Sequence, residues 1–132
     1  MRVLVDTSAW VEFLNGTASP EARAVDRLLA GEDDVATCGL VVAEVFQGIR
    51  RERAELEGFF RKITFLEPAG IDTYLKAADL HRALRRRGVT IRSTIDCLLA
   101  VLAAENGCDL LARDRDLRHV LESGLVDVRP WV

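Results

Sequence analysis

Lysine is almost missing from this sequence: Lys62 and Lys76 are the only two, so arginine carries the basic charge. Histidine is scarce as well, and His81 and His119 stand at no paired spacing. The three cysteines, Cys38, Cys97 and Cys108, form an odd set with no C-x-x-C spacing. These shortages argue against a metal centre of imidazole or thiolate and against a disulfide framework; the cysteines are expected as small buried groups. Long apolar runs are missing too. None approaches the length that spans a bilayer, and the apolar start, Met1 to Val5, is cut off by Asp6 too early for a signal peptide. The expected location is the cytoplasm, with no membrane partner.

What the chain does contain is the material of one globular domain. Its 132 residues are 49% hydrophobic and 30% charged, enough to bury a core without disulfides or a structural metal. We expect a single domain over residues 1–132. The net charge of −3 sits badly with nucleic-acid binding, for which a positive surface is usual. Distribution matters more than the sum, however. Arginines gather at Arg50, Arg51 and Arg53, at Arg85 to Arg87, and around Arg113 and Arg115. The Arg85 to Arg87 run directly precedes Gly88 and reads as a helix end, where cations complement the dipole.

Apolar and turn patterning predicts alternating strands and helices. Arg2 to Val5 is short and β-branched, a strand, and Asp6-Thr7-Ser8 then offers three residues that favour helix N-caps before a helix over Ala9 to Leu14. Ser19-Pro20-Glu21 starts a helix that Gly31 stops. Strands follow at Val35 to Cys38, Thr64 to Leu66, Asp109 to Ala112 and Val126 to Val128. Helices are expected over Leu40 to Arg51, Arg53 to Lys62, Asp72 to Arg87, Thr94 to Asn106 and Arg115 to Leu121. This alternation specifies an α/β fold with a parallel sheet covered on both faces, because parallel neighbours need crossover connections.

Four acids stand out against that frame. Ligands of open parallel sheets bind beyond the carboxyl ends of the strands; Asp6 immediately follows the first strand, and Asp114 comes just after the strand Asp109 to Ala112. Glu44 and Asp96 lie on the flanks of apolar helical stripes, positions from which a carboxylate leans over the sheet edge. Each also has a plainer reading. Asp6 and Asp114 suit helix caps, Ser93-Thr94-Ile95-Asp96 matches a capping box, and Glu44 suits a solvated helix face. Together, acids at one sheet edge would repel one another and raise their own pKa values unless a cation neutralised them. Oxygen donors alone suit Mg²⁺ or Mn²⁺, which bind phosphates alongside carboxylates and support phosphodiester hydrolysis.

The segments V-L-V-D-T-S-A-W, V-V-A-E-V-F-Q-G and I-D-C-L-L-A-V-L-A-A-E-N-G-C-D-L-L-A-R-D-R-D-L, in this order and spacing, resemble the PIN-domain proteins. The likeness covers nearly the whole chain and is nearest to the VapC toxins of bacterial toxin–antitoxin pairs. It implies a three-layer α/β/α fold with a mainly parallel sheet of about five strands. It further implies a Mg²⁺- or Mn²⁺-dependent endoribonuclease that leaves a 5′-phosphate, is inhibited by a VapB-type antitoxin, and usually forms a homodimer. By position, Asp6, Glu44, Asp96 and Asp114 match the family's acidic quartet, and Asp116 matches an additional acid of some members. In that reading Asp6, Asp96 and Asp114 hold one or two metal ions, with Asp116 a further candidate ligand and an alternative to Asp114 as the fourth acid, while Glu44 binds a metal or orients the attacking water. Ser8 matches the small hydroxyl residue that supports the first aspartate, and Arg92, Arg113 and Arg115 are candidates for RNA-phosphate contacts. Two positions depart from the family: Ala112 and Leu117 stand where Thr and Phe are usual.

Other functions remain open at this level. A DNA-directed, structure-specific or housekeeping nuclease fits the same fold, as does a non-catalytic binding module, although this chain keeps all four acids. A receiver domain would want an acidic pair after the first strand and a late lysine. An aspartyl phosphatase would want an acid where Ser8 stands. Trp10 and Phe13 are expected either on a partner surface or packed in the core.

Overall fold

The computed structural model describes residues 1–131; Val132, the last residue of the expected domain, lies outside the described residues. The chain runs β1 (Arg2–Val5), α1 (Thr7–Leu14), α2 (Pro20–Ala30), β2 (Asp34–Cys38), α3 (Gly39–Gln47), α4 (Arg53–Phe60), β3 (Thr64–Leu66), α5 (Ile71–Arg86), α6 (Thr94–Glu105), β4 (Cys108–Leu111) and α7 (Arg115–Glu122). All named strand pairs are parallel, in the order β3-β2-β1-β4. Val3, Leu4 and Val5 are all fully buried. Successive strand side chains point to opposite faces, so both faces of β1 are covered, as the expected three layers require. One helix group joins α1 to α2 and α3; the other joins α6 to α5 and α7.

Local chemistry explains most boundaries. Ser19 caps α2, accepting the Ala22 N–H at 3.1 Å, with Pro20 at the first helical position. The helix expected over Leu40 to Arg51 stops four residues early, at Gln47. Gly48 takes the cap position, and Glu52 adopts a left-handed conformation at φ 55° that no continuous helix contains. The fifth strand expected at Val126 to Val128 is corrected to a single parallel bridge between Leu110 and Pro130. Leu110 donates to the Arg129 carbonyl and accepts from the Trp131 N–H, at 3.0 and 2.9 Å. Pro130 has no N–H to extend a ladder, and an outer edge is where a strand tolerates it.

Trp10 belongs to the core rather than to a partner surface: it is 1% exposed and packs on Phe13, Phe59 and Phe60. All three cysteines are buried and free, as expected. Arg2, Asp34 and Thr64 fasten the opposite sheet edge, with Asp34 accepting from the Arg2 Nε at 2.8 Å and from the Thr64 hydroxyl. Thr37 on β2 is fully buried, and its hydroxyl has no hydrogen-bond partner.

An unsatisfied buried hydroxyl costs roughly 1–3 kcal/mol. Thr37→Val, which keeps the shape and removes the hydroxyl, is predicted to stabilise the fold by about 1 kcal/mol in urea unfolding. Destabilisation of that size would show that the hydroxyl is satisfied in solution.

Candidate active site

The strand order reverses at β1: β2 and β3 lie on one side of it and β4 on the other. Such a switch point opens a crevice beyond the carboxyl ends of the two diverging strands. Val5 pairs with Leu111, and the Asp6 N–H donates to the Leu111 carbonyl at 2.8 Å, one step past the ladder. The β1–α1 and β4–α7 junctions are thereby held side by side. Asp6 stands on the first and Asp114 on the second.

Both acids are helix caps. Asp6 accepts the Ser8 N–H on Oδ2 at 3.1 Å, and Asp114 accepts the Leu117 N–H on Oδ1 at 3.0 Å. Capping occupies one oxygen of each. Asp6 Oδ1 and Asp114 Oδ2 make no hydrogen bond among the described residues, so the cap leaves a donor atom open. The capping box expected at Ser93 to Asp96 is only half made. Ser93 Oγ accepts the Ile95 N–H at 3.1 Å, but Asp96 returns no bond to Ser93 among the described residues. Asp96 therefore keeps both oxygens free at the start of α6.

Ser8 does more than support Asp6. Its hydroxyl donates to Asp6 Oδ2 at 2.6 Å and accepts the backbone N–H groups of Arg113 and Asp114 at 2.9 and 3.1 Å. One donor and two lone pairs are thus all used, and the two junctions are stitched together through one side chain. The sequence signals only the first of these bonds. Thr7 was missed as a site residue: its hydroxyl donates to Glu44 Oε1 at 3.0 Å across 37 positions, bringing the exposed Glu44 of α3 to this edge. Its place in the D-T-S cap was the only signal.

The electrostatics follow from that crowding. Burial raises the Asp6 pKa; the Ser8 bonds oppose this, and the charges of Asp114 and Glu44 add to it. Asp96 is pushed up to about 7, first by burial and then by the charges of Asp114, Asp6 and Asp116, with Arg92 pulling the other way. Asp6, Glu44, Asp96 and Asp114 therefore share one field. Among the described residues, no trio of His, Cys, Asp or Glu side chains is drawn together closely enough to hold an ion directly. The donor set still fits a hard cation. It offers open carboxylate oxygens and mutual repulsion that a cation would relieve, and Mg²⁺ commonly retains waters between itself and its acids.

The remaining expected residues divide. Asp116 is buried and accepts both the backbone N–H and the Nε of Arg92, at 3.2 and 3.0 Å. Those bonds hold its carboxyl below the ordinary range. Arg113 is committed elsewhere, pairing with Glu12 and with Glu21 at 3.3 Å. Arg92 and Arg115 are exposed beside the acids.

The relatives of this α/β domain, with its carboxylates gathered at a sheet switch point, place it within one family. The PIN domain family model matches residues 3–122. The chain belongs to the PIN domain family. It is 37% identical over 117 residues to a VapC ribonuclease of Mycobacterium bovis and to ribonuclease VapC11 of Mycobacterium tuberculosis, covering 86% of this chain and 87% of each relative. Among solved structures, its fold is similar to VapBC2 from Rickettsia felis bound to a promoter DNA fragment, with TM-score 0.71, 18% identity and full coverage of both chains. It is also similar to Mycobacterium tuberculosis VapC20, a sarcin–ricin loop cleaving toxin, with TM-score 0.62, 23% identity, and coverage of 97% of this chain and 99% of that one.

In metal-free protein, Asp96 is protonated more readily when folded than when unfolded, so its ionisation costs stability. That cost is absent below the ordinary value of 3.8, grows up to about 7 and is complete above it. With chelator present, Asp96→Asn is predicted to melt at a higher temperature than wild type near pH 8, with the gap closing toward pH 4. A gap that is constant, or that widens on acidification, would contradict the crowded-carboxylate account.

Proposed function

We propose that this protein is a Mg²⁺- or Mn²⁺-dependent endoribonuclease, the toxin of a VapBC-type pair, restrained in the cytoplasm by a VapB-type antitoxin. The observation that carries the reading is the convergence of Asp6, Glu44, Asp96 and Asp114 at the β1–β4 switch point, in a chain of VapC ribonuclease likeness. The antitoxin part is supported by the VapBC complexes among its structural neighbours.

In this reading Asp6, Asp96 and Asp114 hold the metal, directly or through water, with Glu44 beside them. A bound divalent ion supplies a water of lowered pKa and neutralises charge on the scissile phosphate. The chain's own residues do the rest. Ser8 fixes the Asp6 carboxylate and the Asp114 backbone in one frame. Thr7 holds Glu44 through Oε1, leaving Oε2 to orient water or accept its proton. Burial of Asp6 excludes bulk water from one side of the site. Arginines flanking the acids offer phosphate contacts that a net charge of −3 conceals.

The homodimer expected for the family has a candidate surface. Phe65, Ile71, Tyr74 and Leu75 are 49%, 72%, 52% and 53% exposed, and Phe65 and Tyr74 line one groove with Leu40 and Leu98. Contiguous exposed apolar area of this kind supports association.

Purified protein is predicted to cut single-stranded RNA with Mg²⁺ or Mn²⁺ and to stop with chelator. Asp6→Asn and Asp96→Asn should each lower kcat/KM by roughly 100-fold or more while remaining folded by circular dichroism. RNA cleavage at wild-type rate by both folded variants would overturn the assignment, and cleavage of DNA in preference to RNA would favour a different nuclease of the same fold. A second prediction concerns assembly. Leu75→Asp should shift the mass measured by light scattering from dimer to monomer, and an unchanged dimer would place the interface elsewhere.

A further inference from the structure

Asp114 and Asp116 stand two residues apart, yet the structure treats them differently. Asp114 caps α7 with one oxygen, and its other oxygen makes no hydrogen bond among the described residues. Asp116 has a cationic partner. Its Oδ2 accepts two donors from the same residue, the backbone N–H and the side-chain Nε of Arg92. The pair is lopsided: the Asp116 side chain is 6% exposed and that of Arg92 is 80% exposed. A buried carboxylate thus grips the inner edge of a guanidinium whose outer edge stands in solvent.

The segment carrying Arg92 is held on both sides of it. Gly88, at φ 78°, turns the chain out of α5. Ile91 is buried, and its carbonyl lies 3.3 Å from His81 Nε2. Ser93 begins α6 as its cap, three residues before Asp96. With its backbone N–H fixed by Asp116, Arg92 has little freedom except in its outer guanidinium. The Nη1 and Nη2 groups make no hydrogen bond among the described residues, so those donors are unspent. A planar fork with free outer donors is suited to bidentate phosphate recognition. Its partner Asp116 lies two residues past Asp114, and Arg92 itself directly precedes the Ser93 cap of the helix that carries Asp96, so the fork stands beside the carboxylates rather than on a remote face.

Resting on the nuclease reading above, we propose that Asp116 is a positioning residue rather than a metal ligand: it aims Arg92 so that the outer guanidinium edge grips an RNA phosphate beside the acidic cluster. An anion-binding group next to an acidic site also explains how a chain of net negative charge holds a polyanion. With a cation held by the acids, one phosphate would be bound there, and the aimed arginine takes a neighbouring one. Arg115, exposed and close to Asp116, adds long-range attraction without this fixed geometry.

The test compares Arg92→Gln, Asp116→Asn and the double variant in the full chain. KM and kcat are measured on a short single-stranded RNA with Mn²⁺, and Mn²⁺ affinity is measured separately by calorimetry without RNA. Each single variant should raise KM by about ten-fold, the cost of one charge-assisted contact, and act far less on kcat. The double variant should be no worse than the poorer single, because both remove the same contact. Mn²⁺ affinity of Asp116→Asn should stay within about two-fold of wild type, whereas Asp96→Asn should lose far more. A loss of Mn²⁺ affinity in Asp116→Asn matching that in Asp96→Asn would overturn the proposal, as would KM effects that multiply in the double variant. Asp116 is buried and its variant is at risk of unfolding; Arg92 is exposed, and an unchanged KM in Arg92→Gln overturns the proposal alone. A wild-type chain that cuts no RNA would remove the nuclease reading and the proposal with it.

Discussion

The hydrogen bond from the Asp6 N–H to the Leu111 carbonyl is the contact on which the site depends. It extends the β1–β4 pairing past the last rung and sets two strand-to-helix junctions at one height. Parallel pairing puts both carboxyl ends on the same edge, and the reversal of strand order leaves room between them. Ser8 then converts proximity into a fixed frame, because its hydroxyl reaches Asp6, Arg113 and Asp114 together. Ala112 offers no side-chain hydroxyl at this junction, and Ser8 supplies one from the first turn of α1.

That frame works against the charges it carries. Packing holds Asp6 and Asp96 where burial and neighbouring acids raise their pKa values, so the fold spends stability on keeping like charges together. Sites that evolve for binding commonly show this conflict, and a bound cation reverses its sign. Asp116 is the exception that clarifies the rule. It has an arginine partner, and its carboxyl is stabilised in the ionised form rather than strained toward the neutral one.

Much of this was legible in the sequence because it depends on local chemistry. The caps at Asp6 and Ser19, Pro20 at the start of α2 and the alternation of elements are short-range signals, and the observed elements follow them closely. The acids at the sheet edge were legible because strand ends are countable. The fifth strand was misplaced because apolar composition at Val126 to Val128 says nothing about which residues reach the β4 edge. Leu110 in fact meets Pro130. The α3 overrun arose in the same way, since the stripe through Ile49 continues past the point where Glu52 forces a turn. Long-range pairings left no trace in spacing. Thr7 with Glu44, Arg113 with Glu12 and Glu21, and Arg92 with Asp116 each join separate elements, and they decide which of the predicted arginines remains free beside the acids.

Anomalous diffraction from crystals soaked in Mn²⁺ tests the central claim most directly. The account predicts a peak at the β1–β4 edge, within direct or water-mediated reach of Asp6, Asp96 and Asp114, and its loss in Asp96→Asn. A peak elsewhere, or no peak at saturating Mn²⁺ in protein that still cuts RNA, would contradict it.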